Sequence, residues 1–175
     1  KTENIPGVFG QYTYSFRNKI TLIAGFRADI YNKDKKFITP RMHIKYDLTA
    51  NTILKASAGK GYRIANALSE NMGVLASSRK IIFVEVLKPE EAWNYGISLS
   101  RYFSINGKKA TFILDYYRTD FINQVIADME KRYDEVSFYN LKGQSFSNSA
   151  QAELIFEPID RLEINAAFRI NDVFI

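Results

Sequence analysis

Hydrophobic residues recur at every second position in eight separate segments of the chain. Between residues 19 and 31, the apolar side chains of Ile20, Leu22 and Phe26 alternate with polar side chains such as Thr21 and Arg27. A period of two is typical of a β-strand with one apolar and one polar face. The eight segments lie within residues 11–17, 19–31, 41–48, 54–58, 93–100, 110–117, 150–156 and 161–171. This pattern predicts an all-β fold, in which no helix is longer than a loop insert.

The length of these segments indicates which kind of sheet they form. Strands of soluble proteins average about 5 to 6 residues, whereas tilted strands that cross a bilayer need about 9 to 11. The segments 19–31 and 161–171 both reach the longer class. Aromatic side chains gather near the segment ends, as expected at a lipid boundary: Tyr31, Tyr46, Trp93, Tyr102, Phe103, Tyr116, Tyr117, Phe138, Tyr139 and Phe156. We therefore predict strands of a transmembrane β-barrel.

The connections between the segments alternate in length. Short turns rich in Asn, Gly, Pro and Asp are predicted at 17–19, 49–51, 105–108 and 157–160. Longer loops are predicted near 32–40, 61–91 and 128–135. This alternation predicts an antiparallel up-and-down meander, with the short turns in the periplasm and the long loops outside the cell. Both termini would then lie at the outer end, and the edges of the first and eighth strands would be open unless further strands complete the wall.

The composition removes several classes of function. The chain contains no cysteine and one histidine, which excludes disulfide frameworks, thiol catalysis, Cys-ligated zinc and iron–sulfur clusters. The net charge of +5 is mild and the basic residues are scattered, so nucleic-acid binding is not expected. The sequence has no nucleophile elbow, no phosphate-binding glycine loop and no isolated acid pair. We expect neither an enzyme nor a bound cofactor or metal.

Four motifs in a fixed order resemble the barrel of TonB-dependent outer-membrane receptors. Residues 25–29 read Gly-Phe-Arg-Ala-Asp, similar to the family's Gly-x-Arg-x-Asp strand. A Pro-Arg strand follows at 39–46, and residues 54–70 contain Gly-Lys-Gly-Tyr-Arg and end in Ser-Glu. Residues 87–96 begin Leu-Lys-Pro-Glu and lead into the next strand. Each motif alone is weak, and their order carries the resemblance over nearly the whole chain.

Three positions depart from the family's pattern. Ile64-Ala65 stands where the family usually has Ala-Pro, and Ser149-Ala150-Gln151 replaces a Gly-x-Glu. The chain ends in Phe174-Ile175 within a strand that heads outward, whereas family members generally finish with a terminal aromatic. The first residues have no secretion-signal pattern. The resemblance therefore implies a piece of a longer receptor, about eight consecutive strands from the later part of a barrel of roughly 22.

The resemblance also implies a function and a set of partners. The expected function is active transport in the outer membrane of a Gram-negative bacterium, where the receptor binds and imports a scarce nutrient. The nutrient classes left open are an iron–siderophore, cobalamin and an oligosaccharide. The expected partners are a plug domain of the same receptor, the TonB complex through an N-terminal region, outer-membrane lipid and the nutrient itself, with no nucleic acid.

The loop at 61–91 is the best candidate for ligand contact, because loops longer than about 12 to 15 residues are usually functional or disordered. A short helix is predicted within residues 66–77. The candidate ligand-binding residues are Arg63, Asn71, Arg79 and Lys80. The cations among them suit charge-assisted bonds to an anionic siderophore or a phosphorylated solute. Binding of lipopolysaccharide phosphates, or a role in solubility alone, is an equal alternative. The loop at 128–135 mixes both charges and is interpreted as a solvated tip.

A second set of charged residues lies on the polar face of the predicted strands. The candidates for contact with the lumen or the plug are Arg27, Asp29, Arg41, His43 and Lys45. The alternative is that they are simply the wet side of an amphipathic sheet. His43 is interpreted as a solvated side chain rather than a metal ligand, because no second histidine or carboxylate pair lies at ligand spacing.

Two other classes of protein also fit eight strands. A soluble carrier of the lipocalin kind would enclose the apolar face and turn the charged face to water. A small complete outer-membrane barrel with a structural or adhesion role could close on eight strands. The position of the apolar face separates the carrier from both membrane proteins.

Overall fold

The fold is a long antiparallel sheet with a smaller module at one end. The computed structural model describes residues 4–31, 35–159 and 161–175. The elements are β1 (Gly7–Phe16), β2 (Ile20–Tyr31), β3 (Lys35–Thr49), β4 (Thr52–Arg63), α1 (Ala67–Glu70), α2 (Met72–Leu75), β5 (Lys80–Phe83), β6 (Glu90–Ile105), β7 (Lys108–Asn123), β8 (Val125–Asp128), β9 (Glu135–Asn140), β10 (Ser145–Ile159) and β11 (Leu162–Phe174). In the described ranges, no helix is long and apolar enough to span a membrane.

Eight of these strands form one sheet in the order β1-β2-β3-β4-β6-β7-β10-β11. Every neighbouring pair is antiparallel, and each long strand pairs with the next long strand along the chain. The predicted up-and-down meander of eight long strands is confirmed. Over the described residues the sheet is open, with β1 and β11 at its edges.

The ladder pairs separate the side chains into an apolar and a polar face. One row across all eight strands is apolar throughout: Tyr14, Leu22, Ile44, Ala56, Ile97, Tyr116, Ala150 and Ile170. The adjacent row on the opposite face is polar throughout: Ser15, Thr21, Lys45, Lys55, Ser98, Asp115, Gln151 and Arg169. The alternation read from the sequence therefore runs in register through the whole sheet.

The apolar face is uncovered. Tyr12 is 65% exposed, Phe168 67% and Ile170 58%. A lipocalin-like carrier would bury these side chains together in a shared interior, so that alternative is wrong. An uncovered apolar band opposite a charged face is the arrangement of a membrane barrel, whose apolar band faces lipid and whose polar face lines the lumen.

Tight turns close one end of the sheet, as predicted. Asn106 and Gly107 both have positive φ, 49° and 78°. Two such residues make the turn whose twist matches that of the flanking strands. Arg17 and Asn18 adopt the same region at 50° and 53°. The predicted turn at 157–160 includes residue 160, which lies outside the described residues, and Ile159 still belongs to β10.

The predicted loop at 32–40 is wrong in its extent. Residues 35–40 belong to β3 and continue the ladder with β2 through the pairs Tyr31↔Lys35 and Phe26↔Pro40. Pro40 has no N–H to donate to a ladder. The ladder between β3 and β4 begins at Arg41↔Gly59, one residue after this proline, so the missing donor interrupts no pair there. Residues 32–34 lie outside the described residues.

The other two long connections fold together. The first is shorter than predicted at both ends, and the second is longer than predicted at both ends. They run through 64–89 and 124–144 and are called here the outer module. Strand β9 pairs in parallel with β5 and antiparallel with β8. The predicted short helix is present as two single turns, α1 and α2. The module has its own core, in which Val136 and Phe138 are fully buried and pack with Ala67 and Val74.

Candidate ligand-binding surface and polar wall

One asparagine ties the two connections of the outer module together. The side chain of Asn140 in β9 accepts a hydrogen bond from the Lys88 N–H at 2.8 Å and donates to the Val86 carbonyl at 3.0 Å. Its backbone N–H donates to Glu85 Oε1 at 3.0 Å, and this bond is the main reason that the pKa of Glu85 lies below its ordinary value. The segment that leads into β6 is therefore fixed to β9, and the module is one unit.

Charged side chains join the outer module to the sheet. Arg63 at the end of β4 contacts Glu90 at the start of β6, with 2.5 Å between Nη2 and Oε2. The same guanidinium lies 3.3 Å from Glu70 in α1. The other oxygen of Glu90 accepts from the Val125 N–H at 2.9 Å. Arg63 was predicted to contact ligand, and the structure places it in this network of ion pairs.

The structure brings two of the other candidates close to the second connection. The Arg79 guanidinium lies 3.5 Å from the Met129 carbonyl, and the exposed Lys80 donates its backbone N–H to the Asp134 carbonyl at 2.8 Å. Asn71 lies elsewhere, where its side chain donates to the Ala67 carbonyl at 2.8 Å at the end of α1.

Two cavities open on the outer module. Arg63 and Asn71 line a cavity of about 280 Å³, together with Phe138, while Arg79 and Lys80 do not. A cavity of about 530 Å³ lies on β9 and includes Lys131, Tyr139 and Lys142 among its lining residues. These last three were not predicted as site residues. The alternation of Val136 and Phe138 with Glu135 and Ser137 was the available sequence signal for a strand there.

The polar face carries the candidates for lumen or plug contact. Arg41 donates to Gln11 on β1 at 2.8 Å, and Lys45 lies 3.0 Å from Asp47. His43 and Lys45 line a broad depression of about 560 Å³ in the middle of this face. The floor of the depression depends on Gly96, because a Cβ there would overlap the ring of Tyr117 on the next strand.

Asp29 is the exception among these candidates, because its side chain is only 2% exposed. Arg27 Nε lies 2.8 Å from one carboxylate oxygen, and the Tyr62 hydroxyl donates to the same oxygen at 2.9 Å. The Tyr62 ring stacks on Phe37 with 4.0 Å between centroids. The sequence placed Asp29 on the polar face but did not predict that it is enclosed there.

The outer module offers a surface that can bind a ligand, and the polar face of the sheet can line a passage. Across residues 4–31, 35–159 and 161–175, no group of three or more His, Asp or Glu side chains could hold a metal ion. The cationic residues at the outer module suit an anionic ligand, and the registered polar face suits water and polar solutes.

Comparison with solved structures shows the same fold. The siderophore receptor PirA from Pseudomonas aeruginosa matches 95% of this chain and 34% of its own, with a TM-score of 0.70 and 15% identity. A ferric enterobactin receptor (PfeA) variant from P. aeruginosa with bound enterobactin matches 92% and 26%, with a TM-score of 0.68 and 16% identity. FpvA from P. aeruginosa, bound to a heterologous pyoverdine, matches 97% and 22%, with a TM-score of 0.65 and 14% identity.

The chain spans about a third or less of the length of these receptors. Comparison with curated proteins gave no match. The model of the family described as "TonB dependent receptor-like, beta-barrel" matches residues 1–168. This match confirms the resemblance read from the ordered motifs and argues against a small complete barrel. The chain therefore belongs to the TonB-dependent receptor β-barrel family, whose members lie in the outer membrane of Gram-negative bacteria.

Proposed function

We propose that this chain is part of the wall of an outer-membrane receptor that binds a ferric siderophore and imports it with energy coupled through TonB. The observation that carries the proposal is the polar face that runs in register through a sheet of this barrel family, with a folded module at the outer end of the sheet. The polar face would line the passage around a plug domain of the same receptor. The outer module would contribute part of the ligand-binding surface.

A ferric siderophore is favoured over cobalamin and an oligosaccharide for two reasons. The three receptors compared above, which share the fold at 14–16% identity, are siderophore receptors. The outer module also presents Arg79, Lys80, Lys131 and Lys142, which favour an anionic chelate over a neutral sugar. The transporter class is thus supported by the family, and the ligand by the placement of these four cations in a module whose six basic and six acidic residues balance.

The candidate residues have different roles in this proposal. Arg79 and Lys80 would contact ligand, because Lys80 is exposed and both lie where the two connections meet. Arg63 and Asn71 would hold the module in place through the bonds that they already make. On the wall, Arg27, Arg41, His43 and Lys45 would face the plug and the passing solute.

The test is an uptake measurement with the full-length receptor. Cells that lack their own copy are complemented with the gene and supplied with radiolabelled ferric enterobactin, cobalamin or a maltooligosaccharide, with and without functional TonB. The expected result is uptake of the iron chelate that is lost without TonB. Uptake of only cobalamin or the oligosaccharide would overturn the ligand class, and uptake that persists without TonB would overturn the coupling.

The binding role of the outer module is tested by Lys80→Ala in the purified full-length receptor. Loss of one charge-assisted contact is expected to weaken ferric enterobactin binding by about tenfold. The matched control is Lys109→Ala, an exposed lysine beside the periplasmic turn, which should leave the affinity unchanged. Equal affinity of both variants and the original receptor would exclude Lys80 from the binding surface.

A further inference from the structure

Two lysines lie directly opposite each other on the polar face of the sheet. Lys45 in β3 and Lys55 in β4 are ladder partners. Like charges in directly opposite positions repel each other and destabilise a sheet. Lys45 is compensated by Asp47, which lies 3.0 Å from its ammonium group. Across residues 4–31, 35–159 and 161–175, the exposed Lys55 makes no ion pair and no side-chain hydrogen bond.

The neighbouring strands offer Lys55 no carboxylate at ion-pair distance. Its ladder partner on the other side is Ser98 in β6, and the next residue of the row is Asp115 in β7. Strands lie about 4.8 Å apart, so Asp115 is about 10 Å away across two strands, well beyond the reach of about 4 Å for an ion pair. Asp47 is already paired with Lys45. The charge of Lys55 is therefore available to a group outside these strands.

The two lysines border the broad depression in the middle of the polar face. This depression of about 560 Å³ is also lined by His43, Gly96 and Tyr117. No Asp or Glu is among the described residues that line it. A recess with two ammonium groups and no acid is complementary to an anionic group that enters from the passage.

Positive charge at this level is confined to one sector of the polar face. In the three ladder rows that pass through His43, Lys45 and Asp47, strands β6, β7 and β10 contribute no Lys or Arg. They contribute Asp115 and Glu153 instead. A body that fills the passage therefore meets positive charge on one side and negative charge on the other. A complementary partner has to be acidic where it faces β3 and β4.

The position of Lys55 favours a permanent neighbour over the bound nutrient. Eight residues of β4 separate Lys55 from Arg63, where the outer module begins. At about 3.3 Å per residue, this is about 26 Å along the strand. A ligand held at the outer module does not reach Lys55, whereas a plug that fills the passage covers it. An ammonium group that is covered without a counter-charge is costly, so the covering surface has to supply one.

We propose that the depression is the seat of an acidic side chain of the plug domain, and that Lys55 is the main counter-charge of this side chain. The seat rests on the proposed function, in which a plug domain of the same receptor occupies the passage. One carboxylate between Lys45 and Lys55 offsets the repulsion within the lysine pair and forms charge-assisted hydrogen bonds. The exposed ring of Tyr117 packs against the plug segment that carries the acid.

Zero-length cross-linking of the full-length receptor tests this contact. A carbodiimide joins a lysine to a carboxylate as an amide, with loss of water, only where the two groups touch. In the receptor purified in detergent, mass spectrometry should find Lys55 linked to an Asp or Glu of the plug. Lys60 lies 2.6 Å from Glu91, and the link between these two residues is the internal control for the reagent. With that link present, a Lys55 that is unlinked, or linked only to Asp47 or Asp115, would overturn the proposal.

Charge variants measure how strongly Lys55 holds the plug. Lys55→Glu sets two acids against each other, so amide hydrogen exchange in the plug segment that is linked to Lys55 should become at least about tenfold faster. Lys55→Arg keeps the charge and should preserve the slow exchange, while its cross-link disappears because a guanidinium does not couple. Lys109→Glu is the matched control, an exposed lysine on the same face outside the depression. Equal plug exchange in Lys55→Glu and Lys109→Glu would overturn the proposal.

The uptake assay separates the seat from the proposed function. A receptor that imports ferric enterobactin through TonB but shows no link from Lys55 to the plug overturns the seat and leaves the function standing. A link from Lys55 to the plug in a receptor that does not transport supports the seat while the function fails. If Lys55→Glu slows uptake and leaves plug exchange unchanged, the passing anionic chelate is the counter-charge and the proposal is overturned.

Discussion

The Tyr62 hydroxyl donates a hydrogen bond to the Asp29 carboxylate at 2.9 Å, so that β4 is joined to β2 across the intervening strand β3. Phe37 in β3 lies directly opposite Asp29 and stacks with the Tyr62 ring. A Cβ on Gly7 of β1 would overlap the Asp29 carboxylate, so a glycine is needed on that side. Four strands thus meet around one buried acid, immediately below the point where the outer module begins.

Replacing Tyr62 by Phe keeps the ring stack and removes the hydrogen bond to a buried carboxylate. Hydrogen bonds to charged groups contribute about 1.5–3 kcal/mol, and we expect the lower part of that range, about 1.5 kcal/mol, because Tyr62 is half-buried. Urea unfolding of the full-length receptor in detergent measures the change. Tyr12→Phe, on the exposed apolar face of β1, is the control, and an equal effect of both changes would contradict the role of Tyr62.

Gly96 allows the Tyr117 ring to lie flat on the polar face. A methyl group at this position would overlap the ring and lie 2.8 Å from Ser57 Oγ. We expect Gly96→Ala to destabilise the barrel by about 1–3 kcal/mol, the usual cost of overpacking. The double change Gly96→Ala with Tyr117→Ala should recover part of the loss in the same unfolding assay.

A matched control for this change exists in the neighbouring strand. No atom lies within 4 Å of a Cβ built on Gly61, so Gly61→Ala should leave the stability nearly unchanged. A loss at Gly61 as large as that at Gly96 would show that strand glycines are needed for a reason other than space for Tyr117.

The long sheet was predictable because its signal is local. The alternation of Ile20, Leu22 and Ala24 can be read within one strand, and the ladder register only repeats it in the neighbours. The outer module was not predictable in the same way. Its parallel pairing joins residues 80–83 to residues 135–138, and β5 and β8, with four residues each, have too few positions to establish a period. Its stability comes from contacts between distant segments, above all around Phe138.

The candidate site was predicted as a set of residue types on the correct face or loop, but not as contacts. Arg63 was predicted within the loop at 61–91 and is instead the last residue of β4, where its bond to Glu90 joins residues 27 positions apart. Asp29 was placed on the polar face, and its enclosure depends on Tyr62, 33 positions away. Pairings of this kind follow from the sheet order rather than from any local pattern.

Phe138 should control the folding of the outer module separately from the barrel. Its side chain is fully buried in the small core, and truncation of a buried phenylalanine to Ala costs about 3–5 kcal/mol. We expect Phe138→Ala to unfold the module while the long sheet persists, detected as faster hydrogen exchange in 64–89 and 124–144. Tyr133→Ala, a largely exposed aromatic side chain in the same module, is the control, and protection lost equally in the long sheet would contradict an independent module.

The orientation of the sheet is testable with two adjacent residues in the middle of β6. Ile97 belongs to the apolar row and Ser98 to the polar row. A lysine on the lipid face near the midplane costs about 2–4 kcal/mol, whereas a lysine in the lumen is hydrated. Ile97→Lys should therefore reduce folding yield in lipid vesicles, and Ser98→Lys, opposite Asp115, should not. Reversed effects would place the charged face against lipid and exclude the barrel orientation.

The contact between Glu85 and Asn140 should make the outer module sensitive to acid. The N–H of Asn140 holds the pKa of Glu85 below its ordinary value of 4.5, so folding favours the ionised carboxylate. A lowered pKa in the folded state adds stability that is fully present above pH 4.5 and is lost as the pH falls through the folded pKa. Hydrogen exchange of residues 84–88, corrected for intrinsic rates, should accelerate in that range.

Glu85→Gln separates this effect from the other acid in the module. The N–H groups of Glu130 and Lys131 also lower the pKa of Asp128, so the module keeps some acid sensitivity in any case. The glutamine side chain introduced by this change does not ionise, and we expect residues 84–88 to lose their own pH dependence while β8 keeps its dependence. Unchanged acid sensitivity of residues 84–88 in this variant would assign the effect to Asp128, because the two carboxylates act in one folded unit.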